Sequence, residues 1–342
     1  MTLEDLKIKI APFLEDKLAI NTENISISQF KGGYSNLTYL IKAEDKEFIL
    51  RRPPLGKKIS KAHDMIREFK VLEALQKAGY KKIPKPILSC EDEAVIGSPF
   101  FIMEKVDGLI LRNQIPEGIN LSSRFFQDLS KNTIDAMLEL HQLELKDSGL
   151  LNLGKPDGYV ERQVSGWSER YLKAKTDEIP AMEFAIEWLK SNCPTSKAVS
   201  FLNNDFKYDN IVLRDESNPE IKAILDWEMA TVGDPLMDLG TSLAYWAEKE
   251  DAEILKMFNL THPDGNMTRS EVINYYGKKS GLDMSNMLFY YVFGVFKVGV
   301  IAQQIYQRHM QGFAPDPRFA GLIHVVKACG KTAKNSIETG KI

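Results

Sequence analysis

From Asn203 the chain reads Asn203-Asn204-Asp205-Phe206-Lys207-Tyr208-Asp209-Asn210, then Ile211-Val212-Leu213-Arg214. After a break it reads Ile221-Lys222-Ala223-Ile224-Leu225-Asp226-Trp227-Glu228. The arms 211–214 and 221–225 are apolar and β-prone, and Asp215-Glu216-Ser217-Asn218-Pro219 between them is turn material. A hairpin brings its two ends within about 5 Å of each other. The spacing therefore expects Asn210 beside Asp226, with Asp205 one short loop earlier. Two carboxylates and an amide oxygen are hard ligands of the kind magnesium takes alongside phosphate oxygens. A carboxylate that is not a ligand can orient a substrate hydroxyl and accept its proton. Such a set suits phosphoryl transfer. By spacing alone, Asp-x-x-x-x-Asn also reads as an acidic loop and a solvated turn.

The elements that must position these residues divide the chain in two. Leu3, Leu6, Ile10, Phe13, Leu14 and Leu18 recur at helical spacing, so an amphipathic helix opens the sequence. Ile25-Ser26-Ile27-Ser28, Leu37-Thr38-Tyr39-Leu40-Ile41 and Glu47-Phe48-Ile49-Leu50-Arg51 read as strands of an antiparallel meander, stopped by Pro53-Pro54. A helix is expected from Ser60 to Ala78, ending at Gly79. Ile83 to Leu88 is extended, and Val95-Ile96 and Pro99 to Glu104 read as two further strands. Beyond Asp107-Gly108 the pattern is helical at 122–143, 163–174, 180–191, 234–248, 269–279, 285–308 and 317–339, interrupted by the hairpin. The expected architecture is α+β and bilobal: a small antiparallel β-sheet lobe with a helix over residues 1–105, and a larger, mainly helical lobe over 106–342.

The small lobe offers its own chemistry. Gly32-Gly33-Tyr34-Ser35-Asn36 joins two strands, where glycines let backbone approach phosphate and Ser35 and Asn36 can donate hydrogen bonds; a plain β-turn is the other reading. Arg51 ends the third strand as a possible phosphate cation. Glu68 follows on the next helix, either as the partner of Arg51 or as a surface charge beside core-facing Phe69.

Composition narrows the classes. Apolar residues make up 44% of the 342, enough for a sizeable core. The formal charge of −3 leaves no basic surplus for nucleic acid and no general attraction to an anionic membrane. Three cysteines without a pairing pattern argue against a secreted disulfide framework. Met1-Thr2-Leu3-Glu4-Asp5-Leu6 does not read as a signal peptide. The apolar run Met287 to Ala302 carries Lys297 and reads as a buried helix. The cytoplasm is the expected location, with no nucleic-acid or membrane partner, as a monomer or homodimer.

Taken together, Gly32-Gly33-x-Ser35-Asn36, Phe48-Ile49-Leu50-Arg51, Arg67-Glu68, Asn204-Asp205-x-x-x-x-Asn210, Leu225-Asp226-Trp227-Glu228 and Gly233-Asp234-Pro235-x-x-Asp238-Leu239 resemble the aminoglycoside phosphotransferase and choline kinase family, a branch of the protein-kinase-like fold. The resemblance runs from about Ile25 past Ile323. Arg51-Arg52-Pro53-Pro54, Cys90-Glu91-Asp92-x-x-Val95-Ile96-Gly97-x-Pro99-Phe100 and Arg162-Gln163-Val164-x-x-Trp167 resemble more narrowly the kinase-like domain fused to acyl-CoA dehydrogenases. The resemblance implies ATP and Mg2+ as cofactors, Asp205 as catalytic base, and Asn210 and Asp226 as metal ligands. It also implies Ser35, Asn36, Arg51 and Glu68 around the phosphates, with Met103, Glu104 and Val106 at the adenine. Asp238 would brace the catalytic loop through backbone amides, and His141 would be structural. Arg162, Trp167, Tyr290, Lys297 and Arg308 are candidates to meet the acceptor.

The family usually reads His-Gly-Asp at the catalytic loop, where this chain has Asn203-Asn204-Asp205. The base and metal ligands are retained. Asp226 and Asp234 lie too close for a long activation segment, which disfavours a peptide acceptor. The expected activity is transfer of the ATP γ-phosphate to a hydroxyl of a small molecule, a hydroxyacyl-CoA or other anionic metabolite. The alternatives are an aminoglycoside-type antibiotic phosphotransferase and a non-catalytic nucleotide-binding pseudokinase.

Overall fold

The computed structural model describes residues 1–30, 36–54, 64–314 and 316–342. Gly32, Gly33, Ser35 and the expected first helical turn at residues 60–63 lie outside these. The chain folds as two compact units, Met1–Asp107 with Ala223–Ala230, and Gly108–Lys222 with Thr231–Ile342.

In the smaller unit, α1 (Leu3–Leu18) begins at a capping box. The Thr2 hydroxyl accepts from the Asp5 N–H and the Asp5 carboxylate accepts from the Thr2 N–H. Strands β1 (Ser26–Gln29), β2 (Leu37–Ala43) and β3 (Lys46–Arg52) form the expected meander. Helix α2 (Met65–Lys77) starts where the Asp64 carboxylate caps the Arg67 N–H at 2.9 Å. After β4 (Pro86–Cys90) comes α3 (Glu93–Ile96), then β5 (Phe100–Glu104). The sheet is antiparallel in the order β1-β2-β3-β5-β4.

The residues 95–96 were expected as a strand and are helical. Asp92 caps the Ala94 N–H at 2.9 Å, and Gly97 turns the chain left-handed at φ +81°. These stop signals outweigh the β preference of a Val-Ile pair.

Leu6, Ile10 and Leu14 of α1 join Tyr39, Ile41, Leu50, Phe100 and Ile102 of the sheet in one buried cluster. Phe69 of α2 packs its ring 6.1 Å from Phe101. With both faces covered, β3 is buried from Phe48 through Arg52, so it has no exposed side to show by alternation.

The larger unit is helical: α4 (Ser123–His141), α5 (Tyr159–Ala174), α6 (Pro180–Ser191), α7 (Pro235–Tyr245), α8 (Glu253–Lys256), α9 (Arg269–Ser280), α10 (Met287–Met310) and α11 (Leu322–Thr339). Short strands β6 (Ser200–Leu202), β7 (Ile211–Leu213), β8 (Ile221–Ile224) and β9 (Thr231–Gly233) are threaded among them. β7 and β8 pair as the expected hairpin, and the chain passes into the smaller unit within β8. The antiparallel pair of β6 and β9 was not anticipated; three residues a side are too few to show a period.

Helix α10 is long and apolar enough to cross a membrane, yet 78% of its most apolar window is buried within the protein. It packs closely on α7. A methyl group on Gly240 would lie 2.3 Å from the Tyr290 carbonyl oxygen, and one on Gly294 would lie 2.3 Å from the Gly240 carbonyl oxygen. Only hydrogen side chains permit that approach, and it brings Asp238 of α7 and Lys297 of α10 into one core.

Candidate active site

In the smaller unit the segment Asp226–Glu228 is held by its tryptophan. Trp227 is fully buried, its ring lies edge-on to Tyr80 at 6.2 Å, and its Nε1 donates to the Ile224 carbonyl at 2.9 Å. Such an aromatic pair contributes roughly 1 kcal/mol beyond burial. Asp226 has a left-handed backbone at φ +61°, a conformation that Asp tolerates better than most residues. Its Oδ1 lies 3.4 Å from Arg51 Nη2, while Arg51 Nη1 is paired with Glu68 Oε1. Arg51 and Glu68 are both buried. The expected partnership of strand cation and helix carboxylate is therefore present, and Glu68 is no surface charge.

Burial acts on both members of this pair. It would lower the Arg51 pKa, but Glu68, Asp226 and Glu228 outweigh it and hold the guanidinium charged. Burial pushes the Glu68 carboxyl up to about 7 against the pull of Arg51, with Asp226 adding to the rise. Asn36 Nδ2 donates to Glu228 Oε2 at 2.8 Å. Arg67, not assigned a role from sequence, donates from Nη1 to the Glu228 carbonyl at 3.4 Å and from Nη2 to the Ala230 carbonyl at 2.5 Å. Met103 is buried in β5 and Val106 half-buried after it. Glu104 donates its N–H to the Lys85 carbonyl at 2.9 Å.

In the larger unit the loop of residues 203–210 is organised around Asp238, which is fully buried. Its carboxylate accepts the N–H of Asn203 and the N–H of Asn204, each at 2.8 Å, and the Nε2–H of His141 at 3.1 Å. A carboxylate only accepts, so Nε2 of His141 carries a proton, and Nδ1 is hydrogen-bonded to the Tyr276 hydroxyl at 2.7 Å. Asp238 thus braces the loop through backbone amides, and His141 supports Asp238.

The Asn203-Asn204 departure has a physical account. Asn204 has φ +65°, a left-handed conformation open to glycine and, next best, to asparagine. Its side-chain amide is held by the Tyr159 hydroxyl, with Nδ2 donating at 3.2 Å. Asn203 is fully buried, and its Oδ1 accepts the Asp205 N–H at 3.0 Å. The pair keeps a turn that the family usually builds with His-Gly.

Asp205 is partly exposed. Its Oδ2 accepts from Asn210 Nδ2 at 2.7 Å and lies 3.2 Å from Lys207 Nζ. Asn210 Nδ2 also donates to the Asp205 backbone carbonyl at 3.0 Å, so its Oδ1 is turned away as an available acceptor. Burial would lower the Lys207 pKa, but Asp205, Tyr245 and Asp209 raise it, so the amine stays charged. Lys207 sits two residues after Asp205 in the motif itself, so the sequence carried that signal. Tyr159, distant in the chain, left none.

The donor set suits magnesium. Among the described residues no group of three or more His, Cys, Asp or Glu gathers as for zinc. Magnesium needs only one or two protein ligands and takes water and phosphate oxygens for the rest. Asn210 Oδ1 in the larger unit and the Asp226 carboxylate in the smaller are each an oxygen donor of that kind.

Of the acceptor candidates, Lys297 and Trp167 are brought together, the amine 5.6 Å from the ring centre. Tyr290 is buried and its hydroxyl donates to Asp234 Oδ2 at 2.9 Å. Trp167 is buried, with Nε1 donating to Gln163 Oε1 at 3.1 Å. Lys297 is buried and donates to the Asn204 carbonyl at 2.9 Å. Arg162 and Arg308 are exposed. Arg162 donates to the Lys155 carbonyl, and Arg308 to the Gln304 carbonyl at 3.3 Å.

Residues 26–262 match the sequence profile of the phosphotransferase enzyme family. The chain belongs to that family. Among curated relatives of this phosphotransferase, mouse acyl-CoA dehydrogenase family member 10 is 33% identical over 304 residues, covering 86% of this chain and 27% of that protein. Human acyl-CoA dehydrogenase family member 11 is 33% identical over 291 residues, covering 84% of this chain and 37% of that protein. The chain thus spans about a third of the length of these relatives. Among solved structures, a putative aminoglycoside phosphotransferase from Ralstonia eutropha JMP134 superposes with a TM-score of 0.80 at 25% identity, covering 97% of this chain and 98% of that one. Choline kinase from Cryptosporidium parvum superposes at 0.62 with 14% identity, over 97% and 96% of the two chains, which shows the shared fold. The phosphotransferase has the protein-kinase-like fold, with an antiparallel sheet in one unit and helices in the other.

Proposed function

We propose that this small-molecule kinase moves the γ-phosphoryl group of ATP to a hydroxyl of an anionic metabolite, a hydroxyacyl-CoA being the leading candidate. The observation that carries the reading is the environment of Asp205. Its carboxylate is oriented by Asn210 and Lys207 in a loop pinned by Asp238. Asp205 would accept the proton of the acceptor hydroxyl as that oxygen attacks phosphorus. Arg51 would pair with nucleotide phosphates, joined by Asn36 and Ser35. Met103, the Glu104 carbonyl and Val106 would meet the adenine. Asn210 and Asp226 would hold the metal. Bound Mg2+ would neutralise charge on the phosphate oxygens.

Two things support an anionic acceptor. Lys207 places a positive charge beside the base. The matched relatives carry acyl-CoA dehydrogenase names. Exposed Arg162 and Arg308, with buried Trp167, are candidates to meet such an acceptor. The antibiotic reading has the Ralstonia structure in its favour; aminoglycosides are polycations and call for acidic lining instead. Purified protein with ATP and magnesium, offered a panel of hydroxyacyl-CoAs and aminoglycosides, tests the choice. Phosphorylation of an acyl-CoA with aminoglycosides untouched is expected; efficient turnover of aminoglycosides alone would reject it.

A further inference from the structure

Lys297 is a charge in an unexpected place. It lies in the middle of α10, the most apolar helix, and is 2% exposed. An ammonium in such a setting costs several kcal/mol unless it is well partnered. Among the described residues no carboxylate pairs with it at ion-pair distance. Its partners are the Asn204 carbonyl at 2.9 Å and the face of Trp167, 5.6 Å to the ring centre.

The carbonyl it meets belongs to the peptide between Asn204 and Asp205. The N–H of that same peptide donates to Asn203 Oδ1 at 3.0 Å. The peptide plane leading into Asp205 is therefore held at both ends. Every kind of polar group on left-handed Asn204 is also held: its N–H by Asp238, its amide by Tyr159 and its carbonyl by Lys297. A left-handed turn built on a non-glycine residue is costly, and without these holds the turn that carries Asp205 is free to relax away from Asn210 and Lys207.

We propose that Lys297 is a positioning residue: its ammonium holds the Asn204 carbonyl and so fixes the turn that presents the Asp205 carboxylate. The proposal rests on the reading of Asp205 as the base. It gives Lys297 a place in the loop's support and removes it from contact with the acceptor.

The charges facing Lys297 are Asp205 and Lys207 from the loop, Asp238 from α7 and Arg170 from α5. Burial dominates and pushes the amine down to about 8, against the opposing pull of Asp205 and Asp238. The folded value lies below the unfolded one, so the unfolded chain binds more protons between them. Stability then rises as pH climbs from about 8 towards about 10.4. The hold on the loop weakens as pH climbs through about 8, because a neutral amine is a poorer donor than an ammonium. Activity and stability move in opposite directions, which a purely structural lysine would not produce.

The test uses the full chain with Lys297→Met and Lys297→Arg, reading hydrolysis of MgATP with water as acceptor. Lys297→Met is expected to lose about tenfold in kcat, with KM for ATP within about threefold, and to melt at the same temperature or higher. Lys297→Arg restores most of the rate. In wild-type protein the amide resonance of Asp205 shifts with a midpoint near pH 8, and in Lys297→Met that transition is absent. A fully active Lys297→Met overturns the proposal, as does a melting temperature lowered in step with the rate. A flat amide titration overturns it too, and decides the matter if Lys297→Met fails to fold. Asp205→Asn run in parallel separates the two readings. If it hydrolyses ATP at the wild-type rate, the base assignment fails, while the amide titration still judges Lys297.

Discussion

The two units solve the same problem, a buried charge near the proposed chemistry, by different means. In the larger unit the buried carboxylate of Asp238 meets two backbone N–H groups, which carry no charge, and the Nε2–H of His141. In the smaller unit the buried guanidinium of Arg51 meets charges, Glu68 directly and Asp226 at 3.4 Å. Neutral donors give a carboxylate fixed direction without asking a second ion to leave water. An ion pair leaves the guanidinium matched yet still attractive to further anions. The first arrangement suits a rigid loop; the second suits a cation that must also receive phosphate.

The comparison can be broken at several points. Asp205→Ala, which removes the group the first arrangement serves, is expected to lower phosphoryl transfer about 10³-fold. ATP affinity by titration calorimetry should change less than about threefold. Glu68→Ala leaves Arg51 buried without its main counter-charge and is expected to cost about 4 kcal/mol in urea unfolding. Replacing Arg51 and Glu68 together with apolar residues should recover most of that loss, and failure to recover would show that the pair is not the unit of stability. Asp238→Ala strands three donors that only a carboxylate of that shape satisfies, and about 3 kcal/mol of destabilisation is expected by the same measurement. The smallest effect tests the turn. Asn204→Gly should be within about 0.5 kcal/mol of wild type, whereas Asn204→Ala should cost about 1–2 kcal/mol, because alanine resists positive φ.

Much of this was legible in sequence because the chemistry is local. Asp205, Lys207 and Asn210 sit on one short loop, and Asp226 and Trp227 on one segment. Strand and helix periods placed Arg51 at a strand end and Glu68 on the helix that follows. What escaped was long-range or irregular. The contact of Lys297 with Asn204 spans 93 residues and has no pattern to announce it. Tyr159 meets Asn204 across 45 residues. At residues 95–96 the β preference of a Val-Ile pair competes in sequence with the Asp92 cap and the Gly97 stop, and the cap and stop decide the fold. The left-handed backbone of Asn204 is a property of the folded turn, and it explains why asparagine stands where the family usually has glycine.

The most direct test of the central claim is a transfer assay on a metabolite extract. ATP labelled at the γ-phosphate, with magnesium, is incubated with the extract and either wild-type protein or Asp205→Ala, and labelled small molecules are identified. The account predicts a phosphorylated metabolite bearing a former hydroxyl, formed by the wild type and absent with Asp205→Ala. Label that moves equally well with the variant, or that never leaves ATP although the wild type binds it, would contradict the account.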